Sequence, residues 1–501
     1  MTLLASRRAR LAAAVFALSL AVHAKGIRAP LLDYHYHRQV NTASIARRYW
    51  RDGQPLLQPR IDWAGPGDGM AATEFPVEMW LQGKLWPVFG LGEAWGRIIS
   101  AGASAITAVL LLVLFELEFG TDAGFFGAAL FTVLPVEIYF GRTVQPEALA
   151  LLGFVSALYF WRRSLEPGRP TGPWLAAVAS TFLAVGLKLP YAPVLLPLAA
   201  LSWRRLGRAA MTDARSWTAA LAAATAVLAW YHHASTGSFV VPTNGGEIQR
   251  FLDYDRRVPY YIRFLIFSRF PELVTTYAGG IFFFVGARDI FFRRRDPFWL
   301  ALFFGPFVSL IAFGSYAHIH EYTCLPLAVG AAGLMGLGLQ LLKEKASAAA
   351  PPRRAWAAAG LALLVAAVPV HAALRVGHWY NQSYAYLGGA AAAAEAVSRP
   401  GEPFLTNGVA VSVLLYYLDR RGWGEDFQVL GAPAQAALID ERTREGARFL
   451  ASEKAGLFAE PDGTLWRLMR SRGAPVWDDG KLVIFPLAAD AAARGSSAAR
   501  P

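Results

Sequence analysis

Acidic, imidazole and cationic side chains recur at the edges of long apolar runs in this sequence. The segment Asp33-Tyr34-His35-Tyr36-His37-Arg38-Gln39 carries a carboxylate, two imidazoles and a guanidinium among aromatic rings, and Glu74-Phe75-Pro76 follows. Arg142 stands just before Gln145-Pro146-Glu147, Lys188 sits between two apolar runs, and His318-Ile319-His320-Glu321-Tyr322 opens another. A charge in hydrocarbon is expensive, so ionisable groups at such places are candidates for function. Gathered together they would form a polar pocket able to exchange a proton and hold an anion. Each also has a plainer reading. Arg142 and Lys188 could snorkel to lipid headgroups. Glu147 follows a proline at a helix start and could serve the helix dipole, and Asp33 could cap a helix. His35 and His37 would face one way with Asp33 on an extended backbone, as a metal set, but would diverge on a helix. No fourth ligand is evident nearby, so imidazoles at an interface or against substrate are the favoured reading. No cofactor is required by these residues, and a divalent metal stays open.

The elements that must position these groups are read from composition. The chain has 501 residues, 55% hydrophobic and 17% charged, with a mean hydropathy of +0.33. A soluble globular protein carries about 25% charged residues. Disorder, collagen, coiled coil and an ordinary water-soluble enzyme are therefore excluded. A net charge of +12 would raise nucleic acid as a partner. The positives cluster instead in short connections between apolar runs, as in a polytopic membrane protein. The single cysteine, Cys324, cannot make an internal disulfide. No glycine-rich phosphate loop is present, so a nucleotide-hydrolysing transporter is not supported. Trp477-Asp478-Asp479-Gly480 reads as a tight turn.

The run 11–24 follows Arg7, Arg8 and Arg10 and reads as a first helix rather than a cleaved signal peptide. A mixed polar and aromatic loop covers 26–95. Further apolar segments lie at 96–117, 122–140, 146–161, 173–187, 189–202, 216–233, 271–291, 298–316, 320–342 and 355–374. The fold class expected is thus an α-helical polytopic membrane protein with about eleven transmembrane helices. Basic clusters at Arg162-Arg163, Arg204-Arg205, Arg293-Arg294-Arg295 and Lys343 to Arg354 place the N-terminus in the cytoplasm. The long first loop and the C-terminus then face outward. The transmembrane domain spans 1–374. Over 375–501, helix-like stretches at 388–397, 409–420, 435–445 and 463–472 alternate with β-type runs at 403–406, 427–430, 448–451 and 481–485. That alternation predicts a small outward α/β domain with a mainly parallel sheet.

The order of short motifs resembles the integral-membrane glycosyltransferases of the GT-C fold. The motifs are His35, Arg38-Gln39, Thr42-Ala43 and Ile45-Ala46-Arg47; then Glu74-Phe75-Pro76; then Gly96-Arg97-Ile98 with Ser100. Pro146-Glu147, Lys188 and His320-Glu321-Tyr322 with Leu325-Pro326 complete the set over residues 10–342. The nearest likeness is to bacterial relatives of the protein O-mannosyltransferases and lipid A aminoarabinose transferases. The resemblance implies an enzyme of the bacterial inner membrane. Its donor would be a sugar on polyprenyl phosphate, and its acceptor a hydroxyl of a lipid, glycan or protein at the outer, periplasmic face. Displacement from the opposite face would invert the anomeric centre. It further implies Asp33 as general base, with Glu74 and Glu147 as rivals. Arg38, Arg142 and Lys188 would bind the donor phosphate, and His35, Gln39, His320, Glu321 and Tyr322 the substrate. Two positions depart from the pattern: Asn41 stands where relatives often have aspartate, and Phe75 where the aminoarabinose transferases have lysine. The alternatives are a transporter or flippase of lipid-linked saccharides, for which no repeated halves are found, and a non-catalytic assembly protein that keeps the fold.

Overall fold

The computed structural model describes residues 2–71, 74–90, 92–236, 258–382, 384–407, 412–454 and 463–488. The described residues form two compact units, one of 2–27, 94–233 and 258–380, the other of 28–93, 234–236 and the part from 381 onward.

The first unit is helical. The helix expected at 11–24 runs over Thr2–His23, because Arg7, Arg8 and Arg10 are good helix formers and carry it on toward the N-terminus. Ala94–Phe119, Glu321–Ser347 and Arg353–Tyr380 are long and apolar enough to cross a membrane, and a fourth span is reached if Pro259–Val274 and Tyr277–Arg294, bent by 106°, are taken together. The other apolar runs of the sequence also fall on helices, but shorter or interrupted ones. The run 122–140 divides into Thr121–Thr132 and Pro135–Phe140. In the run 189–202, prolines at 190 and 193 draw the chain into a 3₁₀ turn, Leu189–Val194, before Leu195–Leu206. Thr171–Leu187 and Pro297–Ala312 are apolar but short.

The helix containing 325–347 is enclosed by its neighbours because its glycines admit them. A Cβ on Gly338 would stand 1.8 Å from the Phe282 carbonyl oxygen. Small residues at such crossings let helix backbones approach closely. At one end of this unit the basic clusters find acidic partners. Arg162 and Arg204 meet on Glu118 at 2.7 and 2.8 Å, and Arg204 also reaches Asp296 at 3.0 Å. Asp296 in turn caps Pro297–Ala312.

The second unit is built on a five-stranded sheet in the order β2-β1-β3-β5-β4. The strands are β1 Phe404–Asn407, β2 Gly422–Glu425, β3 Phe449–Glu453, β4 Trp477–Asp478 and β5 Leu482–Pro486. Helices Ala390–Val397, Val413–Leu418, Ala432–Arg444 and Thr464–Arg472 alternate with them. Two expectations are corrected. The run 427–430 is a 3₁₀ turn, Phe427–Val429, and the strand lies earlier. Gly422-Trp423-Gly424 hides it, since glycine weakens strand propensity. Glycine is needed there: at φ 150°, a Cβ on Gly422 would meet the Phe404 carbonyl oxygen at 1.8 Å. The sheet is also mixed rather than mainly parallel, because β5 pairs antiparallel with both β3 and β4. The tight turn read at 477–480 makes that reversal, with Asp479 accepting from the Lys481 and Leu482 backbone N–H groups at 2.9 and 2.8 Å. Leu405, Trp423, Leu450, Val483 and Phe485 fill the core.

The long first loop is ordered within this same unit. Its helices are Tyr36–Asp52 and Val77–Phe89. Arg47 binds Asp62 at 2.5 Å and Asp419 at 2.9 Å, and Arg51 holds Asp419 at 2.6 Å. The Ala64 and Gly65 N–H groups donate to the Gly422 carbonyl at 3.1 and 2.9 Å, beside the β2 edge.

Candidate active site

In the helical unit the candidate groups converge on the loop between Pro135–Phe140 and Glu147–Ser164. Two hydroxyls of Ala94–Phe119 tie the loop down: Ser104 donates to the Gly141 carbonyl at 3.0 Å and Ser100 to that of Thr143 at 2.7 Å. Arg142, Thr143, Gln145 and Glu147 are all buried as a result. Pro146 then begins the next helix, whose first residue is Glu147.

Lys188 lies in extended backbone between two helical segments and bonds Glu147 Oε1 at 2.9 Å. Both side chains are buried, at 4% and 1% exposure, so the pair is an internal one and neither residue snorkels. The Lys188 ammonium also stands 5.3 Å from the Tyr322 ring centre. The Tyr322 hydroxyl meets that of Tyr316 at 3.1 Å, and the His320 ring stacks on Tyr316 at 4.2 Å. Glu147, Lys188, His320 and Tyr322 are thereby brought into one chain of contacts. Glu321 pairs with Arg269 at 2.8 Å.

Arg142 belongs to a neighbouring cationic set. Its guanidinium lies 4.5 Å from the Tyr380 ring and 5.0 Å from the Tyr139 ring. It donates to the Gly26 carbonyl at 3.4 Å, and Arg97, fully buried, donates to the same oxygen. The Lys25 ammonium stands over the same Tyr380 ring, 4.2 Å from its centre. Such a grouping is suited to hold an anion.

The remaining candidates belong to the second unit. Asp33 is buried and accepts from the Gln39 amide at 2.6 Å, which also donates to the Tyr34 carbonyl at 3.1 Å. Asp33 does not cap the following helix. That position is taken by His35, in left-handed backbone at φ 59°. His37 lies within the helix, so the two imidazoles diverge and the extended metal set is not formed. Among the described residues no group of three His, Cys, Asp or Glu could hold a metal ion. Arg38 and Glu74 form an ion pair. Burial lowers the pKa of His37, and the adjacent Arg38 charge adds to this, which favours a neutral ring. Asn41, where aspartate was expected, accepts a hydrogen bond from Ser412 of the tail.

Four residues escaped the sequence reading as site members. Arg97, in the first turn of Ala94–Phe119, and Arg269, inside Leu265–Val274, are buried cations, a signal that was present but attached to no chemistry. Glu137 is buried inside the run 122–140, 3.9 Å from His23. Gln145 has both amide atoms buried without a hydrogen-bond partner, and no feature of its type or spacing marks that.

Comparison with known proteins adds to this geometry. The family model for dolichyl-phosphate-mannose-protein mannosyltransferase matches residues 73–232. Crystal structures of ArnT from Cupriavidus metallidurans superpose along nearly the whole chain. The undecaprenyl phosphate-bound form has a TM-score of 0.63 at 16% identity, covering 96% of this chain and 98% of that one. This is the GT-C glycosyltransferase fold. The oligosaccharyltransferase of Archaeoglobus fulgidus, crystallised with Zn and sulfate, matches with a TM-score of 0.57 at 13% identity, covering 88% of this chain and 68% of that one. No curated protein matches the chain in sequence.

Proposed function

We propose that the protein is a polytopic glycosyltransferase of the bacterial inner membrane, with about eleven spans, that moves a sugar from a polyprenyl phosphate donor to an acceptor hydroxyl at the outer face. The observation that carries this reading is the internal Glu147–Lys188 pair and its aromatic surroundings, set in a helical body whose end-to-end likeness is to ArnT bound to undecaprenyl phosphate. An isoprenoid carrier stays in the bilayer, so its enzyme has to present buried polar groups there, and a buried ion pair among apolar helices costs enough to make it a candidate for that task.

In the reaction, the acceptor oxygen forms a bond to the anomeric carbon as the bond from that carbon to the phosphate oxygen breaks. A carboxylate takes the acceptor proton, and the carrier phosphate leaves with the negative charge. Lys188, Arg142 and Arg38 stabilise that charge. Glu147 holds the Lys188 ammonium in place, and His320 and Tyr322 orient the sugar. Asp33, set by the Gln39 amide, is the general base, with Glu74 as its rival. One displacement from the far side inverts the centre. The second unit helps choose the acceptor.

Purified protein should release polyprenyl phosphate from a polyprenyl phosphate-linked sugar, and Asp33→Asn or Lys188→Ala should abolish the release. Turnover that survives in both variants would overturn the assignment of roles. The absence of turnover with a panel of hexosyl and pentosyl donors would overturn the reading itself.

A further inference from the structure

The helical unit contains a second feature, a groove distant from Glu147 and Lys188. It has a cavity of about 650 Å³ between Arg353–Val376, Thr121–Thr132 and the 325–347 helix, with Leu18 of the first helix at its side. Phe126, Leu130, Leu339, Leu361 and Val365 wall it, while Lys343 and Arg354 stand at one end. The Lys343 ammonium lies 5.2 Å from the Phe126 ring and bonds Asp122 at 2.9 Å, and Arg7 shares that carboxylate at 2.8 Å. Two cations thus share one carboxylate at the rim, and Arg354 adds a third positive charge to the groove lining.

This rim lies at the opposite end of the unit from Glu147. Asp122 closely follows Glu118, which binds Arg162, and Arg162 stands at the far end of the helix that Glu147 begins. Fifteen residues of helix separate the two, about 22 Å. Trp356, 77% exposed, marks the rim as an interfacial level. From Arg354 to Pro369 the groove also runs about 22 Å, more than the roughly 15 Å of a single leaflet. The helix that forms its outer wall has only 11% of its apolar window buried, so the groove is open sideways to lipid.

We propose that this groove is a binding site for an anionic phospholipid of the cytoplasmic leaflet, with an acyl chain along Leu361 and Leu130 and the phosphate on Arg354 and Lys343. The charge of the rim selects the headgroup, and the basic clusters assign that end to the cytoplasm. The inference rests on the membrane reading but not on transfer activity.

The test is native mass spectrometry of the full-length protein in neutral detergent, with dioleoyl phosphatidylglycerol and dioleoyl phosphatidylcholine in equal amounts. Retention of the anionic lipid should be favoured on the order of tenfold at low salt, and less so as salt rises. Lys343→Gln with Arg354→Gln should reduce the preference to less than about threefold. Ala362→Phe, which fills the groove without touching the rim charges, should reduce retention of both lipids. Equal retention of the two lipids by the unaltered protein would overturn the proposal. So would an unchanged preference in the double variant, or full retention in Ala362→Phe, measured on protein with an unaltered Tm. Displacement of phosphatidylglycerol by equimolar undecaprenyl phosphate would make this a carrier site and also overturn it. If the double variant does not fold, the lipid comparison and Ala362→Phe still decide.

Discussion

Two buried ion pairs, one in each unit, differ in what surrounds them. Glu147 and Lys188 lie inside a helical body at 1% and 4% exposure, with the Tyr322 ring beside the ammonium and the Tyr191 hydroxyl donating to the Glu147 backbone carbonyl. Arg47 in the second unit is nearly as buried, but it divides its guanidinium among Asp62, Asp419 and the Tyr416 carbonyl. An ion pair inside apolar helices carries a large desolvation cost, and a branched network recovers that cost through several hydrogen bonds. The first arrangement is hard to explain by stability, and the second is what stability needs to fix a loop helix to a sheet. Burial alone therefore does not identify a functional charge. What the surroundings add, apolar helices and rings in one case and a loop tied to a sheet in the other, has to be weighed with it.

The sharpest way to break this contrast is to neutralise one member of the internal pair and then both. Lys188→Met leaves Glu147 buried without its cation and should destabilise the protein by about 3–5 kcal/mol, with turnover lowered on the order of a hundredfold or more. Adding Glu147→Gln should return most of the melting temperature and none of the activity. Recovery of both together would assign the pair to structure. Arg47→Met in the second unit should cost about 3 kcal/mol, since it leaves Asp62 and Asp419 without their shared cation. Adding Asp62→Asn there should not separate stability from activity, because both would follow the packing of the Tyr36–Asp52 helix.

Gln145 sharpens the same comparison at a smaller scale. Its amide is buried without a hydrogen-bond partner between Arg142 and Glu147. An unmade buried hydrogen bond costs about 1–3 kcal/mol, so Gln145→Leu should raise the melting temperature. If the amide is kept to meet substrate, turnover should fall about tenfold in the same variant. A stabilised and fully active variant would remove Gln145 from the site.

The sequence carried the apolar runs, the motif order and the tail's alternation because each depends on local composition. Every apolar run found there lies on a helix. The places where helices break follow from Pro135, Pro190 and Pro193, whose effect is legible once the run is known. What could not be read was pairing. Nothing in the spacing of Glu147 and Lys188 shows that they touch, or that Glu321 pairs with Arg269. The strand at Gly422–Glu425 was hidden because its glycine is dictated by a contact with Phe404, distant along the chain. The role of the long loop was invisible for the same reason: Arg47 and Asp419 lie more than three hundred positions apart.

The smallest effect expected is at Glu453, where the second unit does place a buried carboxyl with a single partner. Tyr386 donates to it at 2.6 Å. Burial raises its pKa, and the tyrosine hydrogen bond offsets that only in part. The folded protein thus holds this proton more readily than the unfolded chain. The group's contribution to stability is then fullest below the ordinary glutamate range and is lost as pH rises through the folded value. Glu453→Gln keeps an acceptor for Tyr386 and removes the loss. Its melting temperature should match that of the unaltered protein near pH 4.5 and exceed it at pH 7, by less than about 1 kcal/mol in stability. Thermal melts at the two pH values measure this. A variant less stable at pH 7 would mean that the ionised carboxylate is held by a cation, which would give the second unit an internal pair of the kind that Glu147 and Lys188 form.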